Sequence, residues 1–183
     1  MAQVHRPSLM EKLFFLASGI VVSIPMAVFF EPSTAFLSNY LPELQAEILS
    51  IAILPPLIEE LAKAYPLFYR HGESQRSLFT LGFLVGLGFG ITEFLEYVLL
   101  LNVSPLVRLP GIFFHAALTS IVAYGIATKR SALFYLIALV FHSSINFIAV
   151  FDLSSILYAT IMVTAYFLSL TFYRKTSEKM IDY

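Results

Sequence analysis

No cysteine occurs among the 183 residues. That excludes disulfides, a thiolate zinc site and a cysteine nucleophile, and it leaves the redox compartment unreadable. Charge is scarce as well: Asp, Glu, Lys and Arg make up 13% of the chain, against about a quarter in a typical soluble domain. The net charge of −1 offers no basic patch to a nucleic acid. Aspartate is confined to Asp152, at a predicted helix end, and Asp182 in the tail, which rules out an aspartyl dyad. Neither His115 nor His142 belongs to an H-E-x-x-H helix, because Ala116 and Ser143 follow them. A serine nucleophile in a G-x-S-x-G turn is absent, and so are internal repeats and low-complexity tracts.

Apolar residues are what the chain has in excess, at 58% with a mean hydropathy of +0.82. One small core cannot hide that much, so lipid is the expected solvent for a large part of it. A spanning helix needs about 20 mostly apolar residues. Six candidates meet this, at about 13–30, 46–69, 78–101, 109–128, 131–151 and 154–173, each bounded by charge, proline or polar clusters. Short connections predict a single all-α transmembrane bundle over residues 1–183. With the N-terminus inside, Arg6, Lys12, Arg70, Arg76, Lys129, Arg130, Arg174, Lys175 and Lys179 fall on the cytoplasmic side and only Arg108 on the other. Nine against one predicts that both termini are cytoplasmic. Length, and the lack of a clean small-x-small site, predict that the first helix is kept rather than cleaved as a signal.

Five ionisable residues interrupt two of these spans: Glu59, Glu60 and Lys63 in the second, Glu93 and Glu96 in the third. A charged residue at mid-membrane costs about 2.5–3.5 kcal/mol on insertion scales, so five uncompensated would cost on the order of 12–17 kcal/mol. They must be paired, protonated, hydrated or near an interface. Lys63 lies three residues after Glu60 and four after Glu59, where it can neutralise one carboxylate on its own helix. Glu59 and Glu60 are adjacent and point about 100° apart, so both are not expected to face one small site. One is expected to face a cavity while the other pairs with Lys63 or a backbone donor. Pro55 and Pro56, a turn earlier, predict a kink that frees carbonyls and admits water. The glycines from Gly82 to Gly90 read as a close-packing face.

His115 and Thr119 share a helix face, as do His142 and Asn146, each pair being four residues apart. A rise of about 1.5 Å per residue puts Glu93, His115, His142 and Asn146 roughly 8–14 Å below the outer end of their spans, with Glu59 deeper. These depths predict one buried polar cluster. Two chemistries are open to it. A glutamate in low dielectric is a strengthened general base for a water held by the histidines, with Asn146 donating to the developing oxyanion. Alternatively His115, His142 and a glutamate such as Glu93 supply three ligands to zinc.

Glu59-Glu60-Leu61-Ala62-Lys63 resembles the E-E-x-x-K motif of PrsW-type intramembrane proteases. Phe89-Gly90-Ile91-Thr92-Glu93 resembles their glutamate-bearing motif, followed by His115 through Thr119 and His142 through Asn146. The related CAAX-protease and bacteriocin-processing (CPBP, Abi) superfamily carries E-E-x-x-x-R, F-x-x-x-H and H-x-x-x-N. Here Ala64 stands in place of that arginine and Glu93 in place of that histidine, so the PrsW-like pattern fits better. The resemblance implies hydrolysis of a peptide bond in or beside the bilayer. Glu59 or Glu60 would activate water, Glu93, His115, His142 and Asn146 would complete the site, and Lys63, Phe89, Glu96 and Thr119 would support it. It implies a membrane-anchored protein or peptide as substrate; bacterial relatives act on regulators such as anti-sigma factors. Two competing readings use the same polar cluster: a proton-coupled transporter and a non-catalytic scaffold whose polar residues lock helices together.

Overall fold

The structure is a computed structural model that describes residues 6–30, 33–69 and 74–181. Arg70 and Asp182, both used in the sequence reading, lie outside the described residues. The chain forms α1 (Leu9–Phe30), α2 (Ser33–Leu37), α3 (Glu43–Glu47), α4 (Leu54–Ala64), α5 (Gln75–Leu99), α6 (Pro105–Ala127), α7 (Ser131–Val150) and α8 (Ser155–Lys175). A π-helical turn, Ile48–Ile53, joins α3 to α4, and a 3-10 turn, Tyr65–Tyr69, follows α4. Among the described residues α5, α6, α7 and α8 are long and apolar enough to cross a membrane. Their outward faces carry bare Leu, Val, Ile and Phe, such as Leu99, Leu106, Val140 and Phe167. This is an all-α membrane protein.

The expected second span is not one α-helix but a segmented run from Glu43 to Tyr69. Proline explains the break. Pro55 cannot donate to the carbonyl of Ile51 at the α spacing, and Pro56 cannot donate to it at the π spacing. The helix widens into the π turn immediately before the two prolines. Pro66 lies in the 3-10 turn that closes the run.

At the centre of the bundle is α6, with 67% of its apolar stretch buried against 17% for α8. It packs antiparallel to α5 through small residues. A Cβ on Gly82 would meet Ala123, one on Gly86 the backbone of His115 and Ala116, and one on Gly90 the Cα of Ile112 at 2.7 Å. On a second face of α5, Gly88 abuts the backbone of Leu16, while Gly19 of α1 abuts that of Val85. Glycines therefore set α5 tightly between α1 and α6, with helix backbones in contact. The antiparallel register brings Glu93 level with Arg108. It also places Arg76, at the start of α5, near the α6–α7 turn that holds Lys129 and Arg130.

That same end is tied by the C-terminal segment. Lys179 and Ser177 accept from the free amides of Gln75 and Arg76, both at 3.1 Å, and Arg76 Nη2 donates to the Thr176 carbonyl at 2.8 Å. Arg76, Lys129, Arg130, Arg174 and Lys175 thus gather at one end of the bundle, and Arg108 stands at the other.

Candidate active site

Four helices each deliver polar side chains to one place in the half of the bundle nearer Arg108. Counting about 1.5 Å per residue, Glu93 lies about 9 Å, His142 about 12 Å and His115 about 15 Å from the helix ends on that side. From α4 come Glu59, Glu60 and Lys63, with Glu60 and Lys63 fully buried. Glu60 Oε1 accepts from Lys63 Nζ at 2.6 Å and from His142 Nδ1 at 2.8 Å. Lys63 Nζ also lies 3.0 Å from His115 Nδ1 and 4.5 Å above the Phe89 ring. On its other side His115 Nε2 meets Glu93 Oε2 at 2.8 Å, and Arg108 Nη2 reaches the same oxygen at 3.0 Å. The result is one continuous chain of charged and imidazole groups: His142, Glu60, Lys63, His115, Glu93, Arg108.

Ion pairing leaves one carboxylate over. Glu60 pairs with Lys63 and Glu93 with Arg108, whereas Glu59 makes no ion pair with Lys or Arg among the described residues. Its Oε2 is buried, has no hydrogen-bond partner, and faces His142 Nε2 across 3.8 Å. With Nδ1 turned to Glu60, a neutral His142 ring presents the lone pair of Nε2 to this oxygen. In that state two acceptors face each other with no donor between them. That arrangement is costly when empty and suits a cation or a water.

A cavity of about 380 Å³ opens beside these atoms, lined by Glu59, Glu93, His115, His142, Asn146 and Arg108. It extends past Leu101 and Ala149, at the ends of α5 and α7, so it reaches the bundle end where Arg108 stands. Glu60 and Lys63 stand behind its wall. Glu59, His115 and His142 each offer one donor atom within 4.8 Å of the others, so these three could hold a metal ion. One carboxylate, whose Oε2 is unpartnered, and two imidazoles form a donor set suited to zinc.

The broken helix and α7 are stitched together at two further points. Asn146 Nδ2 donates to the Ile51 carbonyl at 2.8 Å, the acceptor that Pro55 and Pro56 leave unserved. Tyr135 donates through its hydroxyl to the Leu57 carbonyl at 2.6 Å. Asn146 and His142 lie one turn apart on α7, and Ile51 and Glu59 two turns apart on the broken helix, so the kink and the carboxylate are aligned by the same neighbour.

Against the sequence reading, the cluster itself forms as expected and Lys63 pairs on its own helix as expected. Glu59 faces the cavity and Glu60 pairs with Lys63, as the adjacent-residue geometry required. Yet both approach His142, because one imidazole presents its two nitrogens to two carboxylates about 100° apart. Glu93, the sequence candidate for the third metal ligand, is instead engaged by His115 and Arg108, and Glu59 takes that place in the donor group. Glu96 lines the cavity, Phe89 packs its ring 5.0 Å from that of His115, and Thr119 is fully buried one turn below it with an unpartnered hydroxyl. Sequence reasoning missed Arg108 and Tyr97, whose ring lies 3.5 Å from the Arg108 guanidinium carbon. The signal was present in Arg108 being the one basic residue on its side, and it was read only as topology.

A family model described as PrsW family intramembrane metalloprotease matches residues 9–171, nearly the whole chain. No curated protein and no solved structure matches it.

Proposed function

This chain belongs to the PrsW family of intramembrane metalloproteases, and from that premise we propose that it hydrolyses a peptide bond of a membrane-anchored protein at the cavity lined by Glu59, His115 and His142. The observation that carries the reading is the unpartnered Glu59 Oε2 facing His142 Nε2 across 3.8 Å at the cavity. Glu60 Oε2 is unpartnered too but stands away from the cavity, whereas Glu59 lines it, where a reacting water has room. Glu59, His115 and His142 are the residues that would hold a metal, and zinc is the ion their chemistry suits. When bound, zinc supplies Lewis acidity toward water and the substrate carbonyl.

The remaining work falls to the side chains. Glu60, which meets both Lys63 and His142 through Oε1, orients the His142 ring so that Nε2 turns to the cavity. Glu59, with Oε2 unpartnered at the cavity, would take the proton of the attacking water and return it to the leaving amine. Arg108 has N–H groups beyond the one given to Glu93 and lines the same cavity, so it is placed to bind a carbonyl of the substrate. Asn146, committed to Ile51, holds the broken helix in register. With six crossings and cytoplasmic termini as part of the proposal, the cavity mouth would open toward the outer leaflet, which suits a bond close to that surface. Kinship with the CAAX-protease superfamily belongs to the same proposal and rests on motif order.

The test uses the full chain in lipid vesicles with a pool of single-span peptides. Metal is stripped with a chelator, zinc is added back, and helicity is followed by circular dichroism. Cleavage should vanish with helicity intact and return with zinc. Undiminished cleavage by protein shown to be metal-free would sink the metal-dependent reading.

A further inference from the structure

We propose that the groove between α5, α6 and α8 binds one anionic phospholipid, its acyl chain lying in the groove and its phosphate held between Arg76 and Arg174. The groove measures about 430 Å³ and shares no lining residue with the cavity at Glu59, so the inference holds whether or not that cavity is hydrolytic. Phe79, Thr80 and Phe83 line it from α5, Phe113 from α6, and Leu170 and Tyr173 from α8. Its inner hydroxyls are already used: Thr80 donates to the Arg76 carbonyl at 2.9 Å, Tyr166 to the Pro110 carbonyl at 2.6 Å, and Ser169 pairs with Ser120 at 2.7 Å. What remains is ring and hydrocarbon surface, which favours an apolar occupant. Counting about 1.5 Å per residue, the groove runs from Tyr173, roughly 3 Å from the basic end of the bundle, to Phe113 at roughly 21 Å. That length matches one leaflet, half of a hydrocarbon core about 30 Å thick. A partner's spanning helix would continue through both leaflets, whereas an acyl chain ends within one.

The mouth supplies the headgroup site. Arg76 precedes Phe79, Thr80 and Phe83 on the same face of α5, and Arg174 lies one turn beyond Leu170 on the groove face of α8. Both walls of the groove therefore end in an arginine, and Arg76 Cζ lies 5.3 Å from the centre of the Tyr173 ring at that end. Arg76 gives Nη2 and Nε to Thr176 at 2.8 and 3.3 Å, while its Nη1 stands 4.0 Å from Glu178, too far for a hydrogen bond. Arg174 is exposed and makes no ion pair among the described residues. Two cations against one distant carboxylate leave the mouth positive, and a phosphodiester offers oxygens that both guanidiniums can share. Basic residues closing a groove between spanning helices are the chemistry that recognises an anionic headgroup. Lys175, the next residue, is turned elsewhere: its Nζ lies 5.8 Å over the ring of Phe172, which stacks on Tyr124.

The experiment reconstitutes the full chain in vesicles of equal parts phosphatidylglycerol and phosphatidylcholine, extracts it gently and weighs it with its bound lipid by native mass spectrometry. The wild type should hold one phosphatidylglycerol. Arg174→Gln should weaken that retention about fivefold, the worth of one cation near a membrane surface. Lys175→Gln, the same change of charge one residue on, should leave it unchanged. Thr80→Trp, which sets an indole in the groove, should empty it, with circular dichroism showing that helicity is kept. Equal retention of the two lipids by the wild type, or retention of neither, would overturn the proposal. Equal losses from Arg174→Gln and Lys175→Gln would overturn it too, since a general basic surface would then be holding the lipid, and so would undiminished retention by Thr80→Trp. A lipid-free wild-type dimer that Thr80→Trp dissociates would give the groove to a second copy of the chain and overturn the lipid assignment.

Discussion

Replacing Asn146 by alanine removes the partner of a carbonyl that its own helix cannot serve. Ile51 loses its α-spaced donor to Pro55 and its π-spaced donor to Pro56, and Asn146 Nδ2 supplies the bond at 2.8 Å. An unpaired buried carbonyl costs about 1–3 kcal/mol, while side-chain bonds between membrane helices average about 0.6 and reach about 1.7 kcal/mol. Ile51 and Asn146 both line the cavity, so water can partly replace the amide, which places Asn146→Ala near 1 kcal/mol. Asn146→Asp is the sharper variant. Its carboxylate is the same size but only accepts, so it faces the Ile51 carbonyl as one acceptor to another. Reversible denaturant unfolding in micelles should rank wild type above Asn146→Ala above Asn146→Asp, with cleavage falling in the same order as Glu59 drifts from His142. Unfolding unchanged in both variants, with cleavage abolished in both, would refute the stapling role and return Asn146 to direct contact with the substrate.

Gly86→Ala drives a methyl into the His115 carbonyl region; it should lower stability by about 1–3 kcal/mol and impair cleavage, whereas Gly111→Ala, with open space around it, should be neutral or gain up to about 1 kcal/mol of helix propensity. Equal thermal midpoints for the two would contradict the close α5–α6 packing. Glu60→Gln strands the Lys63 ammonium and should cost about 3–5 kcal/mol. Glu59→Gln should be neutral or stabilising, because its Oε2 has no partner to lose, and unfolding curves that rank these two the other way would show that the carboxylates have exchanged jobs.

The polar cluster was legible because charge inside an apolar run is expensive, so each such residue announces a partner. Periodicity carried that further: His142 with Asn146, and Lys63 with Glu60, meet their neighbours on the faces that helical spacing assigns. The proline pair also announced a kink. What stayed hidden depended on contacts between helices. Nothing in the local sequence says that the Ile51 carbonyl would be served from α7, or that Arg108, 15 residues beyond Glu93, would lie against it across the α5–α6 turn. The choice of Glu59 over Glu93 as the open carboxylate follows from that Arg108 contact, which occupies Glu93. Two faces of glycine on α5, one toward α1 and one toward α6, were read as a single packing signal because spacing alone does not say which neighbour each face meets.

The measurement that bears most directly on the whole account is mass spectrometry of peptide termini after incubating vesicles of the wild-type chain and of Glu59→Gln with the same single-span peptides. New termini near the outer ends of the spans should appear with the wild type and be absent with Glu59→Gln, whose fold is intact by unfolding. The same termini at the same rate from both proteins would contradict a hydrolytic centre at Glu59.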